Sequence, residues 1–260
     1  MEENTLISVS HVKKAYRLDR KNKVYAVNDV SLDILKEETL ALVGESGCGK
    51  STLAKLIMNM IKADEGSISF EGQEITGLSD RALMPFRKEM QMVFQDPASS
   101  LDPRMKIRDI IAEPLLAWKI YGTKRERDER ILELLDMVEL KEDCLDRYPH
   151  QFSGGQKQRI GIARALASNP KFLVCDESVS ALDVCVQAQI LNLLKRLKKE
   201  LGLTCLFISH DLSVVSFIAD RVCVMKNGSV VETAPVRQIY SAPAHEYTKY
   251  LLSSLPVIRT

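Results

Sequence analysis

The run Thr39-Leu40-Ala41-Leu42-Val43-Gly44-Glu45-Ser46-Gly47-Cys48-Gly49-Lys50-Ser51-Thr52 decides the fold. Thr39–Val43 is a short apolar stretch that reads as a buried strand. Gly44 to Ser51 then fits G-x-x-x-x-G-K-[ST], and a helix is predicted from about Ser51 to Met60. The glycines let the backbone turn tightly and point successive N–H groups inward. With the positive end of the following helix, those donors make an anion site suited to the β- and γ-phosphates of a nucleotide. Lys50 adds a mobile charge able to follow the γ-phosphate, and Ser51 offers a hydroxyl to Mg²⁺. Gly44, Glu45, Ser46, Gly47, Cys48, Gly49, Lys50, Ser51 and Thr52 are therefore the expected nucleotide contacts, with Cys48 read as contributing backbone rather than a reactive thiol. A plain Gly-rich turn is the competing account, and the strand before and helix after count against it.

Working outward, short apolar and β-branched runs alternate with longer helical patterns, which predicts an α/β fold with a largely parallel sheet. Candidate strands are Leu6–Val9, Val30–Ile34, Thr39–Val43, Ser67–Phe70, Met90–Phe94, Phe172–Cys175, Thr204–Ile208, Val222–Met225 and Ser229–Glu232. The clearest helix is Val184–Leu201, where Ile190, Leu194, Leu197 and Leu201 recur at helical spacing and Gly202 supplies a stop. From about Asp96 to Pro170 only helical patterns stand out: Ile107–Trp118, Arg125–Met137 and Gly154–Ala167. The predicted division is a core of residues 1–95 and 171–235, a helical insertion over about 96–170, and a helical tail over 236–260.

The bulk properties narrow the class. The 260 residues are 45% hydrophobic and 27% charged, ordinary for a protein with a sizeable core. A net charge of +1 supplies no strong field toward nucleic acid or anionic lipid. No apolar stretch is long enough to span a bilayer, and Met1-Glu2-Glu3-Asn4 lacks the plan of a signal peptide. The six cysteines show no metal-ligand spacing, so a cytosolic protein with reduced thiols is expected.

A second carboxylate site closes Phe172-Leu173-Val174-Cys175-Asp176-Glu177, an apolar strand ending in two acids. Strands beside a phosphate-binding loop deliver their C-terminal ends to the ligand. Asp176 is placed to serve Mg²⁺. Glu177 is expected to point elsewhere because strand side chains alternate, leaving it to polarise the attacking water.

Phe152-Ser153-Gly154-Gly155-Gln156, followed by Lys157-Gln158-Arg159-Ile160-Gly161-Ile162-Ala163-Arg164-Ala165-Leu166, resembles the signature motif and helix of ATP-binding-cassette (ABC) proteins. Its leading Phe replaces the commoner Leu, one apolar anchor for another. Ser153 is a good N-cap, and Gly154 and Gly155 leave the helix start open to an anion. The resemblance implies a P-loop NTPase core, an antiparallel β subdomain and an inserted helical subdomain. It also implies that Ser153, Gly154, Gly155 and Gln156 of one chain meet ATP held by a second ABC subunit, itself or a paralogue, in a head-to-tail dimer. Gln95 resembles the glutamine that contacts Mg²⁺. Ser180-Ala181-Leu182-Asp183 resembles the loop that crosses the dimer interface, and His210 the switch histidine at the γ-phosphate, although a histidine directly after an apolar strand also suits packing. Tyr16 sits where the family stacks an aromatic on adenine, with Tyr25 as a rival.

Within the family, Gln91–Pro97, Ser100–Arg104, Ser178–Val184 and the tail from Pro243 to Pro256 look like importers of dipeptides, oligopeptides or nickel. That resemblance implies an Mg·ATP-hydrolysing subunit at the cytoplasmic face of the membrane. Its partners would be two transmembrane permease subunits and an extracytoplasmic substrate-binding protein, with no nucleic acid. Peptides are the first choice of cargo and nickel or a metal chelate the second. A soluble cassette acting on nucleic acid or ribosomes is the alternative of another class. Such chains usually carry two cassettes, long coiled coils or a basic surface, none of which is visible here.

Overall fold

The computed structural model describes residues 4–17 and 23–253. Residues 254–260 of the predicted tail, and Met1 to Glu3, lie outside them. Ten strands follow one another in the described chain: β1 (Thr5–Arg17), β2 (Lys23–Leu35), β3 (Thr39–Val43), β4 (Glu65–Phe70), β5 (Gln73–Glu74), β6 (Met90–Val93), β7 (Phe172–Asp176), β8 (Thr204–Ile208), β9 (Arg221–Lys226) and β10 (Ser229–Pro235). The chain forms two compact units, Met1–Met84 with Thr204–Thr260, and Pro85–Leu203.

The first unit contains an antiparallel sheet in the order β2-β1-β4-β5. A second set of strands has β3 at its centre. β8 and β9 pair with it in parallel, from Thr39 opposite Cys205 to Leu42 opposite Ile208 and from Leu40 opposite Arg221 to Val43 opposite Val224. β10 adds to β9 antiparallel. All residues of β3 and β8 are buried, which is why both read as continuous runs without alternation. The helix Lys50–Ile57 follows β3 and buries Leu53, Ala54, Leu56 and Ile57. Helices Val236–Ser241 and Glu246–Ser253 close this unit, and their Ile239 and Tyr247 join Ala41, Val43, Val222, Val224 and Ala234 in one buried cluster.

In the second unit β6 and β7 pair in parallel, Met90 opposite Phe172 through Val93 opposite Cys175. The described segment between them is helical, with Ile107–Ala117, Lys124–Met137 and Gly154–Leu166 its longest helices. After β7 comes Val184–Leu201, started by Asp183, whose carboxylate accepts from Val186 N–H at 3.0 Å, and ended by Gly202 at φ +63°. The α/β class, parallel core strands, antiparallel sheet and helical segment are those expected. No helix among the described residues is long and apolar enough to cross a membrane.

Candidate nucleotide-binding site

The phosphate loop is shaped by its close neighbours in the first unit. Gly44 has φ +149°, and a Cβ there would lie 2.2 Å from the Met225 carbonyl oxygen. Gly49 has φ +107°, and its Cβ would lie 2.0 Å from the Ala26 carbonyl oxygen. Gly47, at φ +79°, faces open space. Gly228 N–H donates to Cys48 O at 2.9 Å, so the turn joining β9 and β10 supports the loop from outside. Lys50 is 5% exposed, and its ammonium donates to Gly44 O at 2.8 Å and Glu45 O at 2.9 Å. Cys48 is buried, with its sulfur 3.8 Å from Lys50 Nζ. Ser51 and Thr52 are half-buried in the first turn of the helix.

Gly49→Ala should lower folding stability by about 2 kcal/mol or more, because the new methyl meets a backbone carbonyl and the positive φ strains any side chain. Thermal unfolding of the nucleotide-free chain checks this. A midpoint within a degree of the unmodified protein would contradict it.

His210 leaves the end of β8 beside the loop strand: Ser209 N–H donates to Leu42 O at 3.3 Å. His210 is exposed, so the packing role is not what the structure shows. Asp211 begins the next helix by accepting from Ser213 N–H at 2.8 Å. Tyr16 and Tyr25 lie on neighbouring strands, with Tyr16 opposite Val24 and Ala15 opposite Tyr25. Directly paired residues share a face and successive ones alternate, so the two rings point to opposite sides. Both are about half exposed, Tyr16 at 46% and Tyr25 at 48%.

In the second unit the acids close β7 as expected, but by a different device. The strand ends at Asp176, which is buried, and Glu177 turns into the left-handed region at φ +45°. The backbone therefore leaves strand geometry at Glu177, so strand alternation does not set the direction of its side chain. Non-glycine residues held at positive φ concentrate at functional sites. Gln95 Nε2 donates to Glu177 Oε2 at 2.8 Å, which joins two of the predicted residues directly. Among the described residues no cluster of His, Cys, Asp or Glu is arranged to hold a metal ion. The expected Mg²⁺ donors, Ser51, Gln95 and Asp176, are instead a hydroxyl, an amide and a carboxylate. Such hard oxygen donors suit Mg²⁺ with its retained waters.

Ser153 caps the helix Gly154–Leu166: its Oγ accepts from Gln156 N–H at 3.3 Å, and Gln156 Oε1 accepts from Ser153 N–H at 3.0 Å. Phe152, 6% exposed, lies under the Arg147 guanidinium at 4.5 Å. The glycines also have an internal reason. A Cβ on Gly155 would meet Val186 Cγ1 at 2.4 Å, and one on Gly154 would meet Leu182 Cδ2 at 3.2 Å. The start of the signature helix thus packs directly on the segment around Asp183.

Sequence reasoning missed the support of the phosphate loop. Ala26 and Met225 act through backbone carbonyls, which leave no mark in side-chain patterns. The β9–β10 turn did leave one: Asn227 (φ +49°) and Gly228 (φ +82°) are an Asn-Gly pair in a two-residue hairpin. Tyr247, whose hydroxyl accepts from Glu45 N–H at 3.2 Å, belongs to no nucleotide motif.

A core of parallel strands feeding a glycine-rich phosphate loop defines a P-loop nucleotide-binding protein. The ABC transporter family matches residues 27–180, and the chain belongs to it. It is 52% identical to the oligopeptide transport ATP-binding protein OppF of Bacillus subtilis (strain 168), over 97% of this chain and 83% of that one. It is 48% identical to the dipeptide transport ATP-binding protein DppF of Lactococcus lactis subsp. cremoris (strain MG1363), over 98% of this chain and 82% of that one. Among solved structures, a dimeric post-hydrolysis state of the ATP-binding cassette MJ0796 bound to ADP and Pi superposes with a TM-score of 0.81 at 33% identity. It covers 89% of this chain and 99% of that one.

Proposed function

We propose that the chain hydrolyses Mg·ATP to power an ABC importer of oligopeptides or dipeptides. The observation that carries this is the Gln95–Glu177 hydrogen bond on a strained turn beside Asp176, in a chain that also keeps the phosphate loop intact. Lys50 and the loop over residues 44–52 bind the β- and γ-phosphates. Ser51, Gln95 and Asp176 hold Mg²⁺, which when bound neutralises charge on the transferred phosphoryl group. Glu177 orients the attacking water and takes its proton, and Gln95 holds that carboxylate in place. His210 contacts the γ-phosphate, and Tyr16 stacks on adenine.

Ser153, Gly154, Gly155, Gln156 and Asp183 serve the nucleotide of a second ABC subunit across a head-to-tail dimer. Nucleotide closes that dimer because it binds the closed state better, and hydrolysis removes the difference. The chain works at the cytoplasmic face on two permease subunits, with an extracytoplasmic binding protein delivering cargo. The names of the matched relatives favour peptides over nickel or a metal chelate.

Affinity purification of the full chain from detergent-solubilised membranes tests this. Permease subunits should accompany it, nucleic acid should not, and chelating Mg²⁺ should abolish hydrolysis by the complex. Recovery with nucleic acid and without membrane subunits would overturn the transport role.

A further inference from the structure

Tyr247 lies in the tail, outside the nucleotide motifs, yet it reaches the phosphate loop. The residue is 5% exposed and packs in the cluster that holds Ala41 and Val43 of the loop strand. The helix carrying it is secured from below. Ala244 and His245 N–H groups donate to the Glu232 carboxylate of β10 at 2.8 and 3.0 Å, and Tyr247 N–H donates to His245 Nδ1 at 3.0 Å. The Lys226 ammonium stands 4.7 Å from the ring centroid.

The bond that matters is the one from Glu45 N–H to the Tyr247 hydroxyl. Glu45 N–H and Gly44 C=O are the two edges of a single peptide plane. The carbonyl edge accepts the Lys50 ammonium at 2.8 Å, while the N–H edge is held by Tyr247 at 3.2 Å. Gly44, at φ +149° and without a side chain, leaves the orientation of this plane to its neighbours rather than to its own residue. Burial keeps the Tyr247 phenol above its ordinary pKa, despite the Glu45 N–H bond that lowers it, so the group stays a neutral hydroxyl.

We propose that Tyr247 is a positioning residue: by clamping the Gly44–Glu45 peptide it sets where Lys50 rests, and so lets the C-terminal helix tune affinity for the triphosphate. This rests on the nucleotide-binding reading of the loop. The test is Tyr247→Phe in the full chain, which keeps the ring and removes only the hydroxyl. Hydrogen exchange of peptides spanning 40–52, measured without nucleotide, should accelerate about tenfold at the loop and stay unchanged in the strand. The Kd for Mg·ATP should rise about three- to tenfold, the worth of one neutral hydrogen bond. In the assembled transporter KM for ATP should rise by the same factor, with kcat within twofold and the unfolding midpoint nearly constant. Unchanged loop exchange would overturn the clamp, whether or not the chain binds ATP. Faster exchange with unchanged Kd, or a fall in kcat alone, would overturn its role in affinity.

Discussion

Glu177→Gln is expected to leave Mg·ATP binding within about threefold of the unmodified chain while turnover falls by roughly 10²- to 10⁴-fold, the range for removing a general base. The reason lies in the contact with Gln95. Its amide donates to Glu177 Oε2 at 2.8 Å, and a glutamine at 177 retains an oxygen that can accept the same bond. Size, rotamer and the left-handed backbone at φ +45° all survive the change. What disappears is the negative charge and the capacity to take a proton from water. Binding and chemistry therefore separate at this position, and chains that bind but do not turn over should accumulate as ATP-dependent dimers. Steady-state hydrolysis by the assembled complex, with size-exclusion chromatography in ATP, checks both. A mutant complex hydrolysing at the normal rate would remove Glu177 from the base role.

How much of this site was legible beforehand depended on how local its cause was. β3 and β8 were placed to the residue, because full burial makes a strand an uninterrupted apolar run. The helix Val184–Leu201 was equally plain, with Asp183 capping one end and Gly202 ending the other. The Ser153–Gln156 capping box could be read from four residues. β1 and β2 were read far too short. Their alternation breaks at His11 (φ +50°) and Asp29 (φ +56°), beside register shifts that reset which face is buried. The helix Asp80–Glu89 went unread because Pro85 sits inside it, where proline normally argues against a helix.

The same distinction separates the motif from its mounting. The loop residues announce themselves because phosphate chemistry demands particular side chains at a fixed spacing. Ala26, Met225, Gly228 and Tyr247 come from two strands, a turn and a helix distant in sequence, and three of the four act through backbone atoms. The turn at Glu177 shows the limit from the other side. Glu177 was chosen on the expectation of strand alternation, whereas its backbone stands at positive φ, outside strand geometry.

Lys50→Met is the complementary experiment, and its expected effect is on binding. The ammonium is almost wholly buried, and it donates to the carbonyl oxygens of Gly44 and Glu45 at 2.8 and 2.9 Å. A buried cation satisfied by two carbonyls is poised for a stronger acceptor, and a phosphate oxygen is one. Methionine keeps the stem and fills the same space, so the folded chain loses two charge-assisted bonds but also the cost of burying a charge. Stability of the nucleotide-free protein should therefore change little. Affinity is different, because nothing replaces the charge once a triphosphate arrives. Losing about 3 kcal/mol of charge-assisted bonding raises Kd for Mg·ATP by roughly a hundredfold. Calorimetric titration beside a thermal melt measures the two quantities on one sample. A variant that binds Mg·ATP as tightly as the unmodified chain would mean that Lys50 holds the loop together and does not serve the phosphates. With Glu177→Gln retaining ATP and Lys50→Met releasing it, binding and turnover would be assigned to separate side chains.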